Sequence, residues 1–261
     1  MNRAMLSLMK KDFKGITANR RLFSAILIVP LVLTVFLPSL FIVLIHFAPD
    51  DPDFQSLAGM LPQSLQGGSL EMTIAGLVLN YIMPLFFLMI PIMTASVMAA
   101  SSFVGEKERR TLETLLYSPL SLKQIFRAKV AASFLLSMLV SFLSFFAMLV
   151  VVEAELFFLA GGLLLPGASW AAILLLVSPA ISLIAVTLIV RRSAKAQSVE
   201  ESQQGAVFLI VPVILLVTGQ FSGVLLVSVW LLLGIGAVCG LLAWLLLKSA
   251  MGKFTYEMLV K

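Results

Sequence analysis

Residues 103–129 read FVGEKERRTLETLLYSPLSLKQIFRAK and hold nine charged side chains, whereas Thr73–Ser102 before them and Val130–Val152 after them hold none. A carboxylate and ammonium cluster this dense invites acid–base or metal chemistry, so the partners such chemistry needs were sought along the chain. His46 is the single histidine and Cys239 the single cysteine, which excludes a histidine cluster, a disulfide framework and a cysteine metal site. Glu200 and Glu201 resemble the paired glutamates of an intramembrane protease, but no His stands near them and no Arg follows in the next turn. Ser101, Ser137 and Ser141 lie in apolar runs without a base, where small-residue helix packing accounts for them. No G-x-x-x-x-G-K-[ST] loop is present; MGKFT near the end lacks the upstream glycine, so no P-loop nucleotide site is expected. What remains for the central charges is recognition by a partner outside the membrane.

The elements that must position this segment follow from composition. The chain has 261 residues, 61% of them hydrophobic and 12% charged, with a mean hydropathy of +1.09. Soluble domains average about 25% charged residues, and no water-soluble interior hides this much apolar surface. Six apolar runs, 22–45, 73–102, 130–152, 169–190, 205–219 and 224–247, match the roughly 20 residues a helix needs to cross hydrocarbon. The expected fold is all-α, a single polytopic membrane domain of six transmembrane helices, since a lone segment in lipid must satisfy its own backbone. The first twenty residues are polar and basic with no small-residue cleavage site beyond, so no removable signal peptide is expected.

All eighteen Lys and Arg fall before the first run, between the second and third, between the fourth and fifth, or after the sixth. The other three loops have none and carry six of the thirteen acids. The positive-inside rule then places both termini in the cytoplasm, and a five-span arrangement would split the basic loops between both sides. That distribution also speaks against a nucleic-acid partner. Leu6, Met9, Phe13 and Ile16 step by three and four, with Arg3, Ser7, Lys10, Lys11 and Lys14 opposite. Residues 1–20 therefore read as an amphipathic interfacial helix with lysines toward anionic lipid headgroups. Trp170, Trp230 and Trp244 fall near span ends, as interfacial anchors do, though lipid-facing bulk explains any one of them as well.

Within the central segment, Gly105 and the dense charge are expected to end the second span. Leu112, Leu115 and Leu116 recur at i, i+3 and i+4 beside Glu106, Glu108 and Glu113, Pro119 forces a stop, and Ser121 to Gln124 spells a capping box for the third helix. A short helix offering leucines suits a partner's groove; the same leucines could equally fold back on the chain's own base.

The run Gly105–Glu106–Lys107–Glu108, then Thr111–Leu112–Glu113, Leu115–Leu116, Ser118–Pro119 and Lys129 resembles the signature segment of the ABC-2 type permeases, the membrane subunits of a class of ATP-binding-cassette exporters. Arg110 stands where that family commonly has Gly. LMKKDFKGITANRRL is similar to the family's N-terminal interfacial helix, KAQSVEESQQ to its loop before the fifth span, and GQFSG to its last external turn. The resemblance implies a half-transporter of a bacterial or archaeal cytoplasmic membrane; an apolar, charge-free path suits a hydrophobic or amphipathic export substrate better than small ions, although other members of that family are assigned to sodium efflux. It implies a second permease copy or sister permease, and two cytoplasmic ABC ATPase subunits that bind the ATP and Mg, leaving this chain non-enzymatic and without a cofactor of its own. It implies that residues 103–127 form the coupling segment, with Gly105, Glu106, Glu108, Thr111, Leu112, Glu113, Leu115 and Leu116 facing the ATPase. With the second and fifth spans lining the path, Asn80, Tyr81, Thr94 and Thr218 become pathway candidates, although ordinary helix hydrogen bonding explains each equally. Pro84 and Pro91, seven apart, would let the second span bend. The other reading of the same segment is a membrane scaffold or immunity-type protein that holds a cytoplasmic partner without transport.

Overall fold

The computed structural model describes residues 3–59, 69–108, 111, 119–193, 196–221 and 228–253. Every regular element among them is helical. The amphipathic α1 covers Arg3–Ala18, and Asn19 separates it from α2, Leu22–Phe47. A short helix α3, Pro52–Gly59, precedes α4, Leu70–Glu108. Then come α5, Leu122–Leu159; α6, Ala168–Ser193; α7, Val199–Gln220; and α8, Val229–Gly252. Six of these, α2 and α4–α8, are long and apolar enough to span a membrane.

Two of them far exceed the span. At 1.5 Å per residue α4 and α5 are each nearly 60 Å long, against a hydrocarbon core of about 30 Å. Their overhanging ends carry the central charges: Glu106, Lys107 and Glu108 on α4, and Lys123, Arg127 and Lys129 on α5. Gly105 does not end the second span. The helix runs through it to Glu108, since one glycine costs a packed helix only about 1 kcal/mol and side-chain bonds beyond it hold the last turn. The capping box at the start of α5 forms: Ser121 N–H donates to Gln124 Oε1 at 2.9 Å and Gln124 N–H to Ser121 Oγ at 3.4 Å.

Prolines shape the spans. Turns of π-helix occupy Val32–Phe36, Val78–Ile82 and Ile173–Val177, each just N-terminal to a proline (Pro38, Pro84, Pro179). Pro84 has no N–H to give the carbonyls four and five residues back. Those two carbonyls are taken across the bundle: Asn80 O accepts from Ser169 Oγ at 3.2 Å, and Leu79 O from Trp170 Nε1 at 2.9 Å. Between Pro84 and Pro91 the α-helical pattern of α4 is interrupted at Leu88. The irregular backbone of α4 is thus docked on α6, as membrane-depth backbone must be.

α4 and α6 are buried along most of their length, whereas α2, α7 and α8 are largely exposed. Ser133, Ser137, Ser141 and Ser144 of α5 are all almost wholly buried, and Ser137 Oγ donates to Pro91 O of α4 at 3.1 Å. Trp170 is not an interfacial anchor. It is 2% exposed, with Phe87 and Phe145 ring centroids 5.3 and 4.9 Å away, because the orphan carbonyl at Leu79 gives its N–H a partner inside. Trp230 and Trp244 lie exposed on α8.

Candidate functional site

Gly105, Glu106, Glu108 and Thr111 are described; Leu112, Glu113, Leu115 and Leu116 lie outside the described residues. Glu106 is buried, and its carboxylate turns into the chain. Lys11 Nζ donates to its Oε1 at 2.8 Å, and Lys129 Nζ stands 2.9 Å from its Oε2, as an ion pair without an aligned hydrogen bond. Thr111 N–H donates to the Glu106 carbonyl at 2.9 Å, so the chain leaving α4 folds back on this residue.

Lys129 is the centre of the arrangement. It is 2% exposed, and its ammonium donates to the Ser102 backbone carbonyl and to Ser102 Oγ at 3.2 Å. It also lies over the Phe103 ring, 5.3 Å from the centroid. Ser102 Oγ donates in turn to Asp12 Oδ2 at 2.6 Å, and Lys129 Nζ is 3.9 Å from the same oxygen. Two cations and two carboxylates therefore join three elements: α1 through Lys11 and Asp12, the end of α4 through Ser102 and Glu106, and the start of α5 through Lys129. Burial pushes the Asp12 carboxyl above its usual 3.8, against the pull of the Lys129 ammonium and the Ser102 hydroxyl. A buried charge without its partner costs several kcal/mol, so the three elements are held in one register. A cavity of about 190 Å³ adjoins the cluster, lined among others by Lys11, Asp12, Ile16, Met98, Glu106 and Thr111.

Glu108 serves a second junction. Its Oε1 accepts the Val199 N–H at 2.9 Å, which fixes the first turn of α7 to the end of α4. Ser198 Oγ accepts the Glu201 N–H at 3.0 Å, and Glu201 Oε2 accepts the Gln197 N–H at 2.8 Å. A Cβ at Gly105 would meet Val199 Cγ2 at an ordinary 3.8 Å, so contact across this junction is close but not crowded. Glu200 and Glu201 thus start a helix, with no histidine beside them.

Of the pathway candidates, Asn80, Tyr81 and Thr94 lie on α4 and Thr218 on α7. Asn80 Oδ1 accepts the Gly167 N–H at 2.6 Å, while Glu153 Oε2 accepts the Leu164 N–H at 3.1 Å. Together these clasp the link 160–167, which opens at Gly161 with a φ of 67° that glycine tolerates best. Tyr81 is half-buried beside Asn80. Thr94 is buried and donates to Ile90 O at 2.7 Å; Thr218 is exposed and donates to Ile214 O at 2.9 Å.

Asp12 escaped the sequence reading. The signal was there: it is the sole acid of the first twenty residues, and Leu8, Met9, Asp12, Phe13 and Ile16 form the face of α1 that packs inward. Leu6, placed in the apolar stripe by spacing, is instead 51% exposed. Packing on α5 selects a face rotated from the one the spacing picks out.

Six spans, with a buried charge node where α1, α4 and α5 meet, define a polytopic membrane protein. The family model described as ABC-2 family transporter protein matches residues 48–229, and the chain belongs to that family. No curated protein and no solved structure matches it.

Proposed function

We propose that this chain is the permease subunit of an ATP-driven exporter. Family membership over residues 48–229 carries the reading, because the matched region contains the whole central charged segment. A separate cytoplasmic ATPase, present in two copies, binds ATP and Mg and seats the segment around Thr111–Tyr117. A second permease copy or a sister permease completes the path. The largely exposed flanks of α2, α7 and α8 leave apolar surface for such a neighbour and for lipid. The basic end of the bundle faces the cytoplasm of a bacterial or archaeal cell, with both termini on that side. The apolar spans suit a hydrophobic or amphipathic substrate.

The charge node gives this reading a route for force. Movement imposed near Thr111 reaches Glu106 directly, and Glu106 is bonded to Lys11 and paired with Lys129. The interfacial helix and the foot of α5 then move with the end of α4 as one body. Co-expression with an ABC ATPase subunit from the same genome tests the assignment. The two should co-purify, and ATP hydrolysis should rise when the exported compound is added. A stable complex whose hydrolysis responds to no compound would point to a scaffold.

A further inference from the structure

A cleft of about 250 Å³ opens between the feet of α5, α6 and α8, away from the charge node. Its walls are apolar: Ala131 and Phe134 on α5, Leu183 on α6, and Leu247 and Met251 on α8. Arg127 also lines it, one turn before Ala131, so that its aliphatic stem forms wall while its head group reaches the mouth. Arg127 is exposed and has no ion-pair partner among the described residues. The helices that form two of its walls, α5 and α8, carry further cations. Lys123 stands one turn earlier on α5, and Lys248 follows Leu247 on α8, its ammonium 5.1 Å from the Trp244 ring centroid. From Arg127 to Phe134 the wall descends about 10 Å at 1.5 Å per residue, the upper part of one leaflet.

We propose that this cleft binds one anionic phospholipid, an acyl chain between α5, α6 and α8 and its phosphate on the Arg127 guanidinium. A guanidinium pairs with phosphate through two parallel hydrogen bonds, and the neighbouring lysines favour a headgroup with net negative charge. Lipid binding in this cleft does not require any particular partner to drive the permease.

The test is native mass spectrometry of the purified full chain titrated with phosphatidylglycerol and with phosphatidylcholine of identical acyl chains. The wild type should prefer phosphatidylglycerol by about fivefold. Arg127→Gln should abolish that preference, and Arg127→Lys should keep most of it. Ala131→Trp fills the cleft and should remove the bound lipid; should that variant misfold, the two Arg127 variants decide alone. Equal affinity of the wild type for the two lipids, or an unchanged preference in Arg127→Gln, overturns the proposal. So does a disulfide between Ala131→Cys copies in a Cys239→Ala background, which would show a second protein chain in the cleft.

Discussion

Lys129 and Lys11 touch the same carboxylate with opposite consequences, because one is buried and the other is 57% exposed. Lys129→Met would leave Glu106 and Asp12 buried without their inner cation. The expected loss is about 3–5 kcal/mol, read as a fall of roughly 10 °C in the detergent melting temperature. Lys11→Gln removes a solvent-screened pair and should cost under about 1 kcal/mol. Asp12 adds a dependence on pH. Its folded-state pKa is raised, so the folded chain holds that proton more tightly than the unfolded chain. Its favourable contribution is present in acid and is lost as pH rises from 3.8 through the raised value. The distances explain why Lys129 does not cancel the burial cost: its ammonium lies 2.9 Å from Glu106 but 3.9 Å from Asp12. Asp12→Asn should flatten that part of the stability profile, so that melting curves of variant and wild type diverge as the buffer is raised from pH 4 toward 7. A constant offset across the range would contradict this role.

Among the elements, α1 is set by packing as much as by amphipathicity. Met9 is buried and Leu6 is half exposed, although spacing puts both on one stripe. Met9→Glu should therefore detach the helix and lower the melting temperature sharply, whereas Leu6→Glu should be mild; equal effects would mean that α1 rests on lipid alone. The six spans were legible because a run of twenty apolar residues has few other fates, and the Ser121 capping box because its two bonds are local. The π-turns were not legible. Proline marks a missing donor, but only the fold shows that Ser169 and Trp170 take the carbonyls Pro84 leaves over. The charge node was half legible: Glu106 and Lys129 stood out in the central run, while Asp12 lies 94 residues before Glu106 and 117 before Lys129, and no periodicity joins them. Trp170→Phe tests the cross-bundle bond at this scale. It leaves the Leu79 carbonyl buried and unpaired, at an expected cost of about 1–3 kcal/mol, where Trp230→Phe on the exposed face of α8 should cost almost nothing.

For the whole molecule, orientation and coupling are the two claims to test. Single cysteines at Asp51 and at Glu200, both exposed, placed in a Cys239→Ala background, should react differently with an impermeant thiol reagent in intact cells. Labelling is expected at position 51 and not at 200; the reverse would invert the bundle. Coupling is the central claim, and one substitution addresses it most directly. Leu115→Asp with Leu116→Asp would put two carboxylates into the apolar cleft proposed on the ATPase, while the charge node and all six spans remain as they are. Burying such charges costs several kcal/mol, enough to weaken binding by a factor of about a hundred or more. The measurement is retention of the ATPase by detergent-solubilised permease, with ATP hydrolysis of the reconstituted complex recorded alongside. The account predicts that the double variant folds with the wild-type melting temperature, loses its ATPase on washing and no longer stimulates hydrolysis. A folded double variant that keeps its ATPase at wild-type strength and turnover would contradict it.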